Sequence, residues 1–272
     1  MNIALLGTGT MGKAIISGLR RKYADAIRIT AWDKNADALK GLDGAVSVIV
    51  PEKLLSPETS PDAVVIAVKP ADVASALAPV IMSGGRRVVS PLWVSIAAGT
   101  SIASLYELFP GDSSADVRIC RVMPNTPAFI DEAMNAYAMS DNARKEDTAI
   151  AEKIFSACGK TIAVPEKLMN AITGLSGSGP AYVFYFLESL IEAGVMAGLP
   201  LKVSRECALQ TVLGAAKLAA SSPESLADLK MKVMTPAGTT ASACMVLEQH
   251  SFKHAIIKAV AAAAKRSEQI EK

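Results

Sequence analysis

The stretch that decides the fold runs from Asn2 to Leu19, NIALLGTGTMGKAIISGL. It reads as a short apolar strand, a glycine-rich turn and the opening of a helix. Glycines at positions 7, 9 and 12 give the spacing G-x-G-x-x-G. In that spacing the first glycine permits a tight turn, the second lets the backbone approach a pyrophosphate, and the third lets the helix pack closely on its strand. The new helix would turn its free N–H groups and positive dipole end towards phosphate oxygens. Gly7, Thr8, Gly9, Thr10, Met11 and Gly12 are therefore candidate dinucleotide-binding residues.

The fingerprint alone is a weak signal, and the next strand strengthens it. This second apolar strand, IRITAW, ends in Asp33, about 20 residues beyond the last glycine, where a ribose-binding carboxylate belongs. Lys34 and Asn35 come directly after it and are placed to meet a phosphate. Further apolar runs continue outward. They are DAVVIAVKP (Asp62–Pro70), a strand within RRVVSPLWVSIAAGTS (Arg86–Ser101), VRICRVMPNTP (Val117–Pro127) and a weaker NAYAMS (Asn135–Ser140). Helical stretches such as PADVASALAPVI separate them. Alternation of this kind predicts an α/β fold with a doubly wound, mostly parallel sheet of Rossmann type. Ligands of such sheets bind at the carboxyl ends of the strands. Ala67, Val68, Lys69 and Pro70, then Ala97, Ala98 and Gly99, then Asn125 all fall at that edge, and they are further candidate cofactor contacts.

Beyond Val164 the strand signal stops. Three helices are predicted: AYVFYFLESLIEAGVMAGLP, KVSRECALQTVLGAAKLAAS with Ser204 as a possible cap, and SPESLADLKMKV opening on a Ser-Pro-Glu cap. A fourth is predicted from Ala243 to the end of the chain. The expected organisation is a dinucleotide-binding domain over residues 1–164 and an all-helical domain over 165–272. These helices are apolar on more than one face, which calls for burial, and a homodimer through this half is a natural solution, with a single compact bundle folded against the sheet as the alternative. One segment resists the helical pattern. MTPAGTTASA (Met234–Ala243) sets a proline, a glycine and three threonines where a helix interior wants none of them.

Composition narrows the function classes. The chain has 272 residues, 51% apolar and 20% charged, with 28 basic against 26 acidic side chains. A near-neutral balance without a basic run, and with two Trp and five Tyr, argues against a nucleic-acid partner. Cys120, Cys158, Cys207 and Cys244 are too far apart in sequence for a zinc pair or a CxxC motif, and they fit buried thiols in a reducing compartment. His250 and His254, spaced i, i+4, lack a third ligand, so no metal is expected. The N-terminal run reads as a first strand rather than a secretion signal. The longest uncharged stretch, Val88–Tyr106, carries too many polar groups to span a bilayer. A cytoplasmic protein with no membrane partner is expected.

GLSGSGPAYVF (Gly174–Phe184) and DLKMKVMTPAGTTASACMVLE (Asp228–Glu248) closely resemble two signature regions of pyrroline-5-carboxylate reductases. AVKP, SIAAG and MPNTP match the first half of that family in the same order, so the resemblance covers nearly the whole chain. It implies hydride transfer from NADH or NADPH to the imine carbon of 1-pyrroline-5-carboxylate, giving L-proline. It also implies a dimerising helical domain, possibly within a higher homo-oligomer, and an active site completed by both subunits. By the same resemblance Thr240 lies near the imine nitrogen as the catalytic candidate, while Thr235, Gly238 and Thr239 hold the substrate carboxylate. The loop Ser176–Pro180 borders the nicotinamide with Asn125, with Ser178 and Gly179 towards the substrate and Pro180 towards the cofactor.

Two positions depart from the family pattern. Ala237 stands where the family usually has glycine, and Asp33 stands where many members carry residues suited to NADPH. A carboxylate there repels a 2′-phosphate and accepts from a free 2′-hydroxyl, which leans the expectation to NADH. Two other readings stay open. One is another imine or β-hydroxyacid reductase of similar architecture; a β-hydroxyacid dehydrogenase would want a catalytic lysine on a central helix, and the nearest candidate, Lys167, precedes that helix. A non-catalytic dinucleotide-binding regulator would have no use for the intact SGSGP and TPAGTT stretches.

Overall fold

A computed structural model describes residues 1–42, 46–84, 91–109 and 116–271. Its first compact unit comprises Met1–Ser178 together with the C-terminal stretch from Ala262, and its second comprises Gly179–Ala261. Residues 165–178 thus fall within the first unit, as does the last part of the final helix, from Ala262.

The first unit is built on an eight-stranded sheet: β1 (Asn2–Leu6), β2 (Arg28–Trp32), β3 (Ser47–Val48), β4 (Ala63–Ile66), β5 (Leu92–Ser95), β6 (Arg118–Met123), β7 (Ala133–Met139) and β8 (Gly159–Ala163). Their order is 3-2-1-4-5-6-7-8. Neighbours from β3 to β6 are parallel, with Leu6 level with both Trp32 and Ile66. β7 runs antiparallel to β6, and β8 runs parallel to β7. The doubly wound, mostly parallel sheet is therefore present. The strand order reverses between β1 and β4, the switch point where such sheets take their ligands. Of the stretch around β5, residues 86–90 lie outside the described residues.

Two strands of the sheet differ from expectation. β8 (GKTIA) has no apolar run and shows exposed side chains along its length, so it gives no strand signal of its own. It forms because Ala133 to Tyr137 offer a free edge. β3 is two residues long and exposed.

Side-chain alternation divides the core into two layers. Ile3 and Leu5 of β1 face one layer, with Ala14, Ile15 and Leu19 of α1 (Thr10–Tyr23). Ala4 and Leu6 face the other. Beyond α2 (Ala36–Leu39), the second layer is closed by Val73, Leu77 and Val80 of α3 (Val73–Gly84) and by Ile102 and Leu105 of α4 (Ile102–Tyr106). The fully buried Trp93 there meets Phe109 edge-on at 5.0 Å. Ile154 and Phe155 of α5 (Lys145–Phe155) complete the first layer, and Met169 of α6 (Met169–Ile172) completes the second. Each fully buried aliphatic side chain of this kind contributes about 1.5–3 kcal/mol.

The second unit is helical: α7 (Gly179–Met196), α8 (Leu201–Ser221), α9 (Leu226–Val233), α10 (Thr239–Gln249) and the first part of α11 (Phe252–Ile270). α7 and α8 approach at Gly194, where an added Cβ would fall 2.2 Å from Ser204 Oγ. Ser204 is therefore no cap. It lies inside α8, buried, and donates to Ile191 O at 2.7 Å. The cap of α9 is Ser225 rather than Ser222; it accepts from Asp228 N–H and donates to the Asp228 carboxylate. The helix expected from Ala243 onward is broken at Ser251, whose φ is 55°. His250 ends α10 and His254 lies in α11, so they share no helical face. Lys272 lies outside the described residues.

Candidate active site

The glycine-rich turn sits at the switch point. Gly7 has φ 99°, a left-handed conformation, and an added Cβ would come within 2.7 Å of Ala67 O and 2.8 Å of Val68 Cγ1. No other residue satisfies both the angle and the space. An added Cβ on Gly12 would lie 2.4 Å from Gly7 O, so the helix start is pressed onto the turn. Gly9 is the opposite case: it is exposed, and its Cβ direction is open to 4 Å. Gly9 is also the N-cap of α1, with no side-chain cap and no acid in the first turn. Uncapped N–H groups facing open space at a helix start fit a pyrophosphate, and Thr10 and Met11 lie on that first turn. The basic Arg20, Arg21 and Lys22 occupy the last turn, where they match the opposite pole.

Asp33 closes this turn from below. Its Oδ2 accepts from Thr8 N–H at 2.6 Å and from Thr8 Oγ1 at 3.2 Å, and its Oδ1 accepts from Asn35 N–H at 2.9 Å. Thr8 is fully buried. The sequence signals the acid but not its partner. Asp33 therefore braces the glycine turn as well as ending β2, and it stays half-exposed at the strand end. Next to it, Lys34 Nζ reaches Asp72 Oδ1 at 2.7 Å. Asp72 ends the 3-10 turn that begins at Pro70, so this pair links the ends of β2 and β4. Ala67 and Val68 are half-buried at the end of β4, while Lys69 and Pro70 are exposed.

After β5, Ala97 and Gly99 are buried and Ala98 is half-buried. Gly99 has φ 69°, and its Cβ direction is filled by Ile270 of α11 at 3.2 Å. Just below, Glu166 Oε1 accepts from Ile102 N–H at 2.7 Å and from Arg121 at 3.0 Å. Glu271 accepts from both Arg121 and Asn170, and Ser267 Oγ donates to Asn170 Oδ1 at 2.7 Å. The end of α11 thus ties β5, β6 and α6 together. Burial raises the Glu271 pKa, but the hydrogen bonds from Asn170 and Arg121 and the Arg121 charge outweigh it, and the net direction is down.

Asn125, after β6, is a clamp. Its Nδ2 donates to Ser176 O at 3.1 Å and Ser176 Oγ at 3.3 Å, and its Oδ1 accepts from Met134 N–H at 3.0 Å. The start of the loop that the family resemblance implies at Ser176–Pro180 is instead helical. Thr173–Gly177 form a π-helical turn, closed by Ser178 N–H to Thr173 O at 2.9 Å. Such turns recur at functional sites because they bulge the backbone without ending the helix. The terminal methyl of Met123 lies in the Cβ direction of Gly177, at 2.4 Å.

In the second unit, the awkward Met234–Ala243 stretch divides into a tight turn, Met234–Gly238, and the start of α10 from Thr239. Gly238 N–H donates to Thr235 O at 2.9 Å, and an added Cβ on Gly238 would meet Thr235 Oγ1 at 2.3 Å. Ala237 adopts φ 54°, a left-handed conformation that glycine takes more readily. Gly238 is the N-cap of α10 without a side-chain cap, and the first turn holds Thr239 and Thr240 and no acid. Gly179 and Pro180 open α7 in the same unit.

Other features carry no chemistry that the structure supports. Lys167 is exposed in a short 3-10 turn. Cys120 and Cys158 are buried, and burial pushes the Cys158 thiol up to about 12; Cys207 is exposed, against expectation. Among the described residues, no three His, Cys, Asp or Glu side chains converge on a metal-sized site, and no helix is long and apolar enough to cross a membrane. A cavity of about 700 Å³, lined among others by Tyr106, Asn142 and Glu166, contains none of the expected site residues. Within it Tyr106 Oη donates to Asn142 Oδ1 at 3.0 Å.

A doubly wound sheet with a glycine turn at its switch point, an acid ending β2 and uncapped helix starts defines a dinucleotide-dependent oxidoreductase of Rossmann type. The family model described as pyrroline-5-carboxylate reductase dimerisation matches residues 166–270, and one described as NADP oxidoreductase, coenzyme F420-dependent, matches 2–99. The pyrroline-5-carboxylate reductase of Synechocystis is 38% identical over 100% of the chain and 99% of its own length. That of Escherichia coli is 32% identical over 99% of the chain and 98% of its own. Among solved structures, the Coxiella burnetii pyrroline-5-carboxylate reductase superposes with TM-score 0.88 at 32% identity, covering 100% of this chain and 98% of that one. The Plasmodium falciparum enzyme, solved with NADP bound, gives 0.86 at 30% over the same shares. The chain belongs to the pyrroline-5-carboxylate reductase family.

Proposed function

We propose that this protein reduces 1-pyrroline-5-carboxylate to L-proline with a reduced nicotinamide dinucleotide, the last step of proline synthesis. The observation that carries the substrate side of this reading is the start of α10. Its first turn presents threonine hydroxyls and uncapped N–H groups, with no acid, to any carboxylate that approaches. When bound, the nicotinamide supplies the hydride. The chain's own residues bind and orient. Gly7–Gly12 receive the pyrophosphate, Asp33 the ribose hydroxyls, and Ala67–Pro70 and Ala97–Gly99 wall the dinucleotide. Asn125 fixes the Ser176 turn, which with Ser178, Gly179 and Pro180 borders the ring. Thr235, Gly238 and Thr239 hold the substrate carboxylate, and Thr240 meets the imine nitrogen.

Three finer features belong to the same reading. Asp33, half-exposed and ending β2, favours NADH over NADPH. Among the described residues, Ser204 and Ala208 alone are buried in the second unit, while Tyr185, Met196, Leu226 and Val233 are at least 65% exposed. Apolar surface on that scale supports a homodimer through these helices. Four free cysteines, with no disulfide among them, support a reducing, cytoplasmic location.

Replacing Thr240 by alanine tests the substrate assignment. The expected outcome is a rise in KM for pyrroline-5-carboxylate, or a fall in kcat, with NADH affinity nearly unchanged. A loss of NADH affinity instead would remove Thr240 from the substrate side.

A further inference from the structure

The ion pair between Lys34 and Asp72 joins the two strand ends that flank the switch point, and no feature of the sequence announces it. Lys34 is the cation next in sequence to Asp33. Asp72 comes from the turn after β4, at the foot of α3, and its Oδ1 lies 2.7 Å from Lys34 Nζ. Lys34 is 67% exposed and Asp72 28% exposed. The lysine is thus paired with Asp72 while following Asp33 directly in sequence. The neighbouring Lys40 is taken by Asp37 at 2.6 Å. Lys69, one residue before the turn that holds Asp72, is exposed at the end of β4 rather than of β2.

We infer that Asp72 is a positioning residue that sets dinucleotide preference by holding Lys34 away from a 2′-phosphate. This inference rests on the dinucleotide-binding reading above. In this fold class the acid ending β2 receives the ribose hydroxyls, so a 2′-phosphate would arrive beside it. Lys34 is the adjacent cation able to neutralise that phosphate. To do so it must leave Asp72, and the freed carboxylate then repels the doubly charged group. A ligand with a plain 2′-hydroxyl makes neither demand. Asp33 disfavours NADPH directly, and Asp72 disfavours it by occupying the cation that would compensate.

The magnitude is bounded by exposure. Partly exposed pairs contribute a few tenths to about 1 kcal/mol, which corresponds to a change of roughly two- to fivefold in an equilibrium constant. Salt screens such pairs, so the effect should shrink as ionic strength rises.

Calorimetric titration of the full-length protein with NADP⁺ and with NAD⁺ tests this without turnover. Asp72→Asn should tighten NADP⁺ binding about two- to fivefold and leave NAD⁺ binding within error, and the gain should fade at high salt. In a Lys34→Ala background the same substitution should lose most of its effect on NADP⁺, because the residue it acts through is gone. Asp72→Glu, which keeps the charge, should restore the parent ratio. An unchanged NADP⁺-to-NAD⁺ ratio in Asp72→Asn would overturn the inference. So would an equal shift for both dinucleotides, or an undiminished effect without Lys34. Failure to bind either dinucleotide would instead refute the proposed function on which the inference rests.

Discussion

Asn125 holds Ser176 through both its carbonyl oxygen and its hydroxyl, at 3.1 and 3.3 Å. One side chain at the end of β6 thus fixes a π-helical turn some fifty residues away in sequence. Its other end takes Met134 N–H, so the amide group is used on both sides. Asn125→Ala removes three hydrogen bonds and leaves half-buried groups without them. A stability loss of about 1–3 kcal/mol is expected, measured by denaturant titration, with a fall in kcat. A variant as stable and as active as the parent would show that the turn holds itself.

The fingerprint glycines separate folding from binding. Gly7→Ala forces a Cβ into Ala67 at a left-handed φ and should lower the melting temperature sharply. Gly9→Ala puts its Cβ into open space and should melt with the parent. Its dinucleotide affinity should nevertheless fall roughly five- to 150-fold, as overpacking against a ligand of about 1–3 kcal/mol implies. Retained affinity in Gly9→Ala would move the pyrophosphate elsewhere.

Much of this was legible because it is local. G-x-G-x-x-G and its spaced acid need only the order of residues along one strand, turn and helix, and binary patterning marks the parallel strands by their apolar runs. The features that escaped depend on partners distant in sequence. β8 is a strand only because β7 leaves an edge open. The Thr8 clamp on Asp33 and the Lys34–Asp72 pair are tertiary contacts with no spacing rule. The π-turn is an i→i+5 register, for which the sequence carries no spacing rule. Ser204 resembled a cap because serine before an apolar run usually is one, whereas the close approach at Gly194 gives it an interior role. The break at Ser251 rests on a single positive φ, which serine does not advertise.

Ala237 and Gly238 make opposite forecasts for adjacent positions. A non-glycine residue in a left-handed conformation costs about 1–2 kcal/mol, while glycine loosens the unfolded chain by about 0.4–1 kcal/mol. The first effect is the larger, so Ala237→Gly should stabilise the protein slightly, by up to about 1 kcal/mol. Gly238→Ala drives a Cβ against Thr235 Oγ1 and should destabilise it. Differential scanning calorimetry of the two variants decides; a stability loss in Ala237→Gly would contradict the strain assigned to that turn.

Acid should loosen the C-terminal tie. The Glu271 pKa is lowered on folding from its ordinary value of 4.5, with burial opposing and the Asn170 and Arg121 hydrogen bonds prevailing. Its contribution is therefore fully present above 4.5 and is lost as pH falls through the lower folded value. Asp131 behaves alike: its hydrogen bond from Arg21 is the largest influence and lowers its pKa. Glu271→Gln should flatten part of the acid limb of a plot of melting temperature against pH. An acid limb unchanged by this substitution would show that Glu271 is not linked to folding.

The most direct test of the proposed reaction is mole-for-mole product analysis. Purified, folded protein is given 1-pyrroline-5-carboxylate with NADH, and separately with NADPH, and both dinucleotide oxidised and L-proline formed are measured. The expected result is one proline for each dinucleotide consumed, with the higher kcat/KM for NADH. Dinucleotide binding without proline formation, with either cofactor, would contradict it.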